Sequence, residues 1–293
     1  MMWMRNPILF LLALLMAEPA VAGEMRIISC APNFTEILFA LDLGGKVVGV
    51  TDFCRFPPEA ALKEKIGGYL NPNLEKIISL QPTLVITPRT KSDLPQKLRR
   101  LNIPTLEIPN ETVNDALNAI TSIAGAAGVP ERGAQLRTTI AHDLESLKIK
   151  YAQKPPVRTL IVVGRAPDSL RDIYAAGPGT FLDELLKFGG GENILPPQTA
   201  LYPKLSRESL IALNPDVILD TTFSGLALTT DTLNAALRPW LDLISVNAVK
   251  NGRVYIILDP SLTIQGPRLA HSAHLIADYL HPPALKLRRA YPP

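Results

Sequence analysis

The chain has four histidines, His142, His271, His274 and His281, and none precedes residue 142. A site for bare zinc or manganese would need such nitrogens to converge with carboxylates, and the spacing here provides no such set. There is no G-x-S-x-G, no H-E-x-x-H and no G-x-x-x-x-G-K-[ST]. Nucleophile elbows, zinc peptidases and phosphate cradles are therefore excluded. No carboxylates are paired for acid–base work. Catalytic residues, metal ligands and a resident cofactor are all expected to be absent. The residue types instead suit the binding of a largely apolar small molecule. Phe53, Phe56, Tyr69, Tyr174 and Phe223 fall in stretches that read as loops, and Trp240 is the only tryptophan after Trp3. Such a ligand needs aromatic faces and a few placed donors. Arg165, directly after an apolar run, is a candidate for meeting a ligand carboxylate or phosphate, although a surface ion pair is the commoner fate of an arginine. Cys30 and Cys54 are either one disulfide or two reduced thiols, and sequence leaves both open.

The elements that must carry these loops alternate. Short apolar runs at 25–29, 46–51, 83–87 and 105–108 read as strands, and helical spacing fills 35–43, 74–80 and 92–101. Asn33 and Glu36 have the form of a capping box, and Gly44-Gly45 stop the first helix. The second half repeats the scheme, with strands at 160–163, 217–219 and 254–257 and helices at 180–188, 206–213, 231–241 and 267–280. Alternation of this kind predicts parallel sheets covered on both faces, with ligand beyond the carboxyl ends of the strands.

Residues 73–86 recur 133 positions later at 206–219, with glutamate, apolar pair, leucine and proline in register. A second echo links Thr35–Gly45 to Thr180–Gly190, and the two together argue for two similar lobes. Between them, Leu136, Ile140, Leu144, Leu147 and Tyr151 form one apolar stripe, predicting a linking helix that Pro155-Pro156 end. The expected organisation is residues 1–22 as a signal peptide, 23–129 as an N-terminal lobe, 130–153 as the linking helix and 154–293 as a C-terminal lobe.

Hydrophobic residues make up 47% of the 293 and charged ones 19%, so the chain is not disordered throughout. Thirty basic and 27 acidic side chains leave a net charge of +3, too weak and too scattered for nucleic-acid binding. Arg5, the apolar run 8–16 and Ala20-Val21-Ala22 read as a secretory signal cleaved after Ala22. No cysteine follows that run directly, which argues against a lipid anchor and for a soluble protein of the bacterial periplasm.

Residues 26–86 resemble the helical-backbone class (class III) of periplasmic solute-binding proteins, which serve ABC importers of vitamin B12, haem and iron chelates. The matching words are Ser29-x-Ala31-Pro32-x-x-Thr35-Glu36, the stretches Val48–Pro58 and Gly67–Glu75, and later Gly177–Leu186, Gly189–Asn193 and Gly252–Tyr255. The resemblance implies two Rossmann-like α/β lobes with parallel sheets, joined by one long rigid helix, with ligand held between them. It implies a monomer that binds a corrinoid (vitamin B12-like), or alternatively haem or a ferric siderophore, and hands it to a permease and its ATPase. Phe53, Tyr69 and Trp240 match positions that are aromatic in the B12-binding members, and Phe223, Tyr174 and Arg165 complete the expected ligand set. Glu75 and Glu208 each sit near a helix start, where the dipole favours a carboxylate. The resemblance gives them a second role, docking one per lobe onto permease arginines. Two-lobed α/β sheets also occur in metal-insertion enzymes of the chelatase type, which would need a general base in the cleft; the loops offer Asp52 and no histidine.

Overall fold

The structure, a computed structural model, describes residues 24–90 and 92–282; the expected signal peptide lies outside them. The first sheet contains β1 (Ile27–Ser29), β2 (Val47–Val50), β3 (Glu64–Lys65), β4 (Leu84–Pro88) and β5 (Thr105–Ile108). Its order is β3-β2-β1-β4-β5 and every pairing is parallel. Helices α1 (Pro32–Ala40), α2 (Pro58–Ala61), α3 (Leu74–Ser79), α4 (Leu94–Arg100) and α5 (Val113–Ala126) accompany it. After α6 (Pro130–Tyr151) comes the second sheet: β6 (Val157–Gly164), β7 (Ile173–Ala175), β8 (Gly191–Asn193), β9 (Lys204–Leu205), β10 (Val217–Asp220) and β11 (Val254–Ile256). Its helices are α7 (Phe181–Phe188), α8 (Arg207–Leu213), α9 (Thr230–Leu241), α10 (Asn247–Lys250) and α11 (Leu269–Leu280).

The second sheet departs from the parallel expectation. Its order is β11-β10-β6-β7-β9, with β8 also on β6, and β7 runs antiparallel to both β6 and β9. The connection between β6 and β7, residues 165–172, is shorter than the dozen or so residues a parallel crossover needs, so the chain turns back on itself.

The repeated segment holds in three dimensions. Asn73 and Ser206 cap α3 and α8 by accepting from the backbone N–H of Lys76 and Ser209 at 3.0 and 3.1 Å. The strand after each helix, β4 or β10, pairs with the first strand of its sheet. The second echo is looser. Thr180 caps α7 by accepting from the N–H of Asp183, whereas Thr35 is buried inside α1, which begins three residues before it. The expected capping box at Asn33 and Glu36 does not form either. Pro32 occupies the first helical position, Ala31 precedes the helix without a side-chain cap, and Asn33 and Glu36 are free to reach elsewhere.

Helix α6 has 22 residues, a length of about 33 Å at ~1.5 Å per residue. Its Ile140, Leu144, Leu147 and Tyr151 are buried in a core that takes in Ile27, Phe34 and Ile120 of the first lobe and Leu185, Leu219 and Ile276 of the second. The lobes therefore share this apolar cluster, and each has a smaller one of its own. Close approach of α5 and α6 depends on Gly133, where a β-carbon would stand 2.3 Å from the Ala124 Cβ. Because the core is continuous through α6, urea should unfold the chain in one cooperative transition. Leu144→Ala should lower its stability by about 2–5 kcal/mol. Two separated transitions, each assignable to one lobe, would contradict a shared core.

Candidate functional site

The carboxyl ends of the parallel first sheet converge on a cleft. Pro32 and Asn33 follow β1, Phe53 follows β2, Tyr69 follows β3 and Asn110 follows β5. Across from them stand Thr263, Ile264 and Gln265, which follow β11 of the other lobe. Together these residues enclose about 260 Å³ between the lobes. Phe53 is 56% exposed at the mouth, and Tyr69 is partly buried against the core.

The floor of the cleft ties the two lobes together. Asn33 Nδ2 donates to Asn110 Oδ1 at 2.8 Å and to the Gln265 carbonyl at 3.4 Å. Beside it, Arg268 donates from Nε and Nη2 to Glu36 at 2.9 and 2.6 Å, and its guanidinium lies 4.2 Å from the centre of the Phe56 ring. A further link joins the N–H of Val113 to Glu184 Oε2 at 2.6 Å. Burial pushes the Glu36 carboxyl above its usual range, and Arg268 pulls it back only in part.

The expected ligand residues divide. Phe53 and Tyr69 line the cleft. Phe223 instead lines a larger groove of about 950 Å³ within the second lobe, between loop 167–170, loop 223–228 and α9. Tyr174 is exposed on β7, opposite Gly164 and Lys204, and borders neither space. Trp240 and Arg165, expected at the ligand, are interior residues. Trp240 is 0% exposed and donates from Nε1 to Asp220 Oδ2 at 3.0 Å. Arg165 Nε donates to the same oxygen at 2.7 Å. Its Nη1 reaches the carbonyls of Ala166, Pro167 and Ser169, and its Nη2 that of Ala236. With its side chain 0% exposed, this arginine is not presented to a ligand; it fastens loop 166–169 and α9 to β10.

Both thiols are free and buried. Thr35 Oγ1 donates to Cys54 Sγ at 3.1 Å, and burial pushes the Cys30 thiol up to about 12. Glu75 and Glu208 occupy the second position of α3 and α8 and are exposed. The Glu208 carboxyl is held below its usual range by its own backbone N–H and the Ser206 hydroxyl. Sequence reasoning missed Asn33, Asn110, Thr263, Ile264 and Gln265. Carboxamides and hydroxyls carry no motif, and Asn33 was absorbed into an expected cap.

Two α/β lobes bridged by one helix, with a cleft at the strand ends, define a receptor that holds its ligand between lobes. A family model described as periplasmic binding protein matches residues 27–260, and the chain belongs to that family. An uncharacterised ABC transporter substrate-binding lipoprotein of Bacillus subtilis is 33% identical over 89% of this chain and 81% of its own. A vitamin B12-binding protein of Vibrio parahaemolyticus is 31% identical over 73% of this chain and 78% of its own. Among solved structures, the periplasmic vitamin B12 binding protein BtuF of Vibrio cholerae is similar at a TM-score of 0.73 and 26% identity, covering 87% of this chain and 96% of that one. The periplasmic heme-binding protein RhuT of Roseiflexus, in apo form, is similar at 0.74 and 26%, covering 88% and 100%.

Glu36 gives the floor of the cleft a pH signature. Its folded-state pKa lies above the unfolded value, so the stability it contributes is complete below about pH 4.5 and is lost as pH climbs through the raised value. Urea unfolding of the wild type and of Glu36→Gln, compared from about pH 4 to 8, should show the wild type losing ground to the variant as pH rises. The opposite slope would mean that pairing with Arg268 outweighs burial.

Proposed function

We propose that this protein is the substrate-binding component of an ABC importer, exported to the periplasm, which captures a corrinoid between its lobes and delivers it to the permease. The observation that carries this reading is the cleft itself, where Phe53 and Tyr69 of one lobe face Thr263–Gln265 of the other. The choice of corrinoid is supported by the vitamin B12-binding proteins among the relatives. The cleft's 260 Å³ is just below the usual range of ligand pockets, about 300–1,000 Å³. A corrin ring therefore enters by its edge, with Phe53 against its face and the rest of the ligand projecting from the mouth. The protein acts as a monomeric carrier and leaves the ligand chemically unchanged.

Cyanocobalamin, haemin and a ferric siderophore, titrated in turn into the mature protein by calorimetry, should give tight binding of the corrinoid alone. Phe53→Ala should weaken it by roughly tenfold, the loss of one aromatic face. Tight binding of haemin with no response to cyanocobalamin would overturn the choice of ligand.

Glu75 and Glu208 fit the docking role. They stand at matching positions on matching helices, one in each lobe, exposed and carrying the same charge. Two fixed charges on lobes that share a core can set the receptor's register on a two-fold permease. The double substitution Glu75→Ala, Glu208→Ala should abolish uptake in cells while leaving the affinity of the purified protein for its ligand unchanged. Undiminished uptake would remove this role.

A further inference from the structure

The cleft is polar without being charged. None of its eight lining residues is charged, and three of them, Asn33, Asn110 and Gln265, are carboxamides. Two cations beside this region are committed elsewhere, Arg268 to Glu36 and Lys65 to the Cys54 carbonyl. Arg55, exposed in the Phe53 loop, is not among the lining residues. Asn33 is almost fully buried, and its amide nitrogen is spent on Asn110 and on the Gln265 backbone. The Gln265 side chain is different. It is 9% exposed, and its Oε1 is buried without a hydrogen-bond partner. Buried acceptors normally find donors, so an orphan in the wall of a ligand cleft marks a place where a ligand donor fits.

We propose that Asn110 and Gln265, held in place by Asn33, recognise the neutral carboxamide fringe of the ligand, so that the cleft selects ring systems edged with primary amides over those edged with carboxylates. The inference rests on the corrinoid reading above and deepens it. A primary amide carries two donors and an acceptor. It can supply the N–H that Gln265 Oε1 lacks and accept in turn from the amide nitrogens of Gln265 and Asn110. A carboxylate is acceptor-only. Placed here it would lose water, meet no counter-charge among the lining residues and oppose an unpaired oxygen. Sites built from buried polar groups discriminate strongly, because the wrong ligand leaves those groups unpaired. The interlobe bond from Asn33 to the Gln265 backbone places donors and acceptors of both lobes on one short stretch of floor, so recognition of the amide fringe requires both lobes at once.

The test uses the mature protein, wild type and Gln265→Leu, titrated by calorimetry at neutral pH with three probes. These are cyanocobalamin; dicyanocobinamide, whose ring amides are intact; and dicyanocobyrinic acid, whose ring substituents are free carboxylates. The wild type should bind the two amide-bearing corrinoids at least tenfold more tightly than the acid. Gln265→Leu should erase most of that preference with its thermal midpoint little changed. Equal affinity of the wild type for amide and acid corrinoids, or a preference untouched by Gln265→Leu, would overturn this inference and leave the corrinoid reading standing. Failure of the wild type to bind any of the three probes would overturn both.

Discussion

Apolar packing along a single helix sets the relation between the halves of this molecule. Ile140, Leu144, Leu147 and Tyr151 of α6 are buried in one interior with side chains from both lobes, so the helix is part of each core rather than a tether between two. A crossing built in this way resists bending, because any large rotation of one lobe would pull buried methyl groups out of contact on both sides. The cleft is thus largely pre-formed. Its width is set by packing some distance away, and its floor is stitched by Glu36–Arg268 and by Asn33 with the Gln265 carbonyl.

The charged residues nearest the strand ends serve this architecture. Asp220 gathers Arg165, Trp240 and the N–H of Thr222 around one buried carboxylate. This cluster fixes loop 166–169, the turn after β10 and α9, which together wall the second lobe's groove. Taking such a pair out of water costs several kcal/mol per ion unless further hydrogen bonds offset it, and four guanidinium bonds to backbone carbonyls do so here. What remains at the mouth between the lobes is uncharged: two rings, three carboxamides, a hydroxyl and two aliphatic side chains.

The two-lobed plan was legible in sequence because periodic apolar runs and one repeated helix–proline–strand unit report directly on local structure. The linking helix was equally plain, since its stripe runs from Leu136 to the last residue, Tyr151. The antiparallel β7 was not, because a strand of three residues carries little pattern and only the shortness of its connection gives it away. At the site, Phe53 and Tyr69 could be placed because their loops follow strands. Trp240 and Arg165 misled for one shared reason. Residue type and proximity to a strand end do not say whether a side chain turns outward or inward, and here an aspartate 55 positions from Arg165 drew both inside. Gln265 could not be found in sequence at all, because its partner across the cleft lies 232 positions away.

Gly133 has a consequence beyond its own neighbourhood. With no room for a methyl group between α5 and α6, the angle at which the strut leaves the first lobe is fixed at its root. A strut fixed there acts as a lever: a wedge of a few tenths of an ångström at residue 133 would be magnified along its length and reappear as altered aperture where the two lobes face each other. The gauge of the mouth is therefore written partly in a residue that never meets the guest, and variants that retune cargo size can arise at the foot of the lever as readily as on the rim.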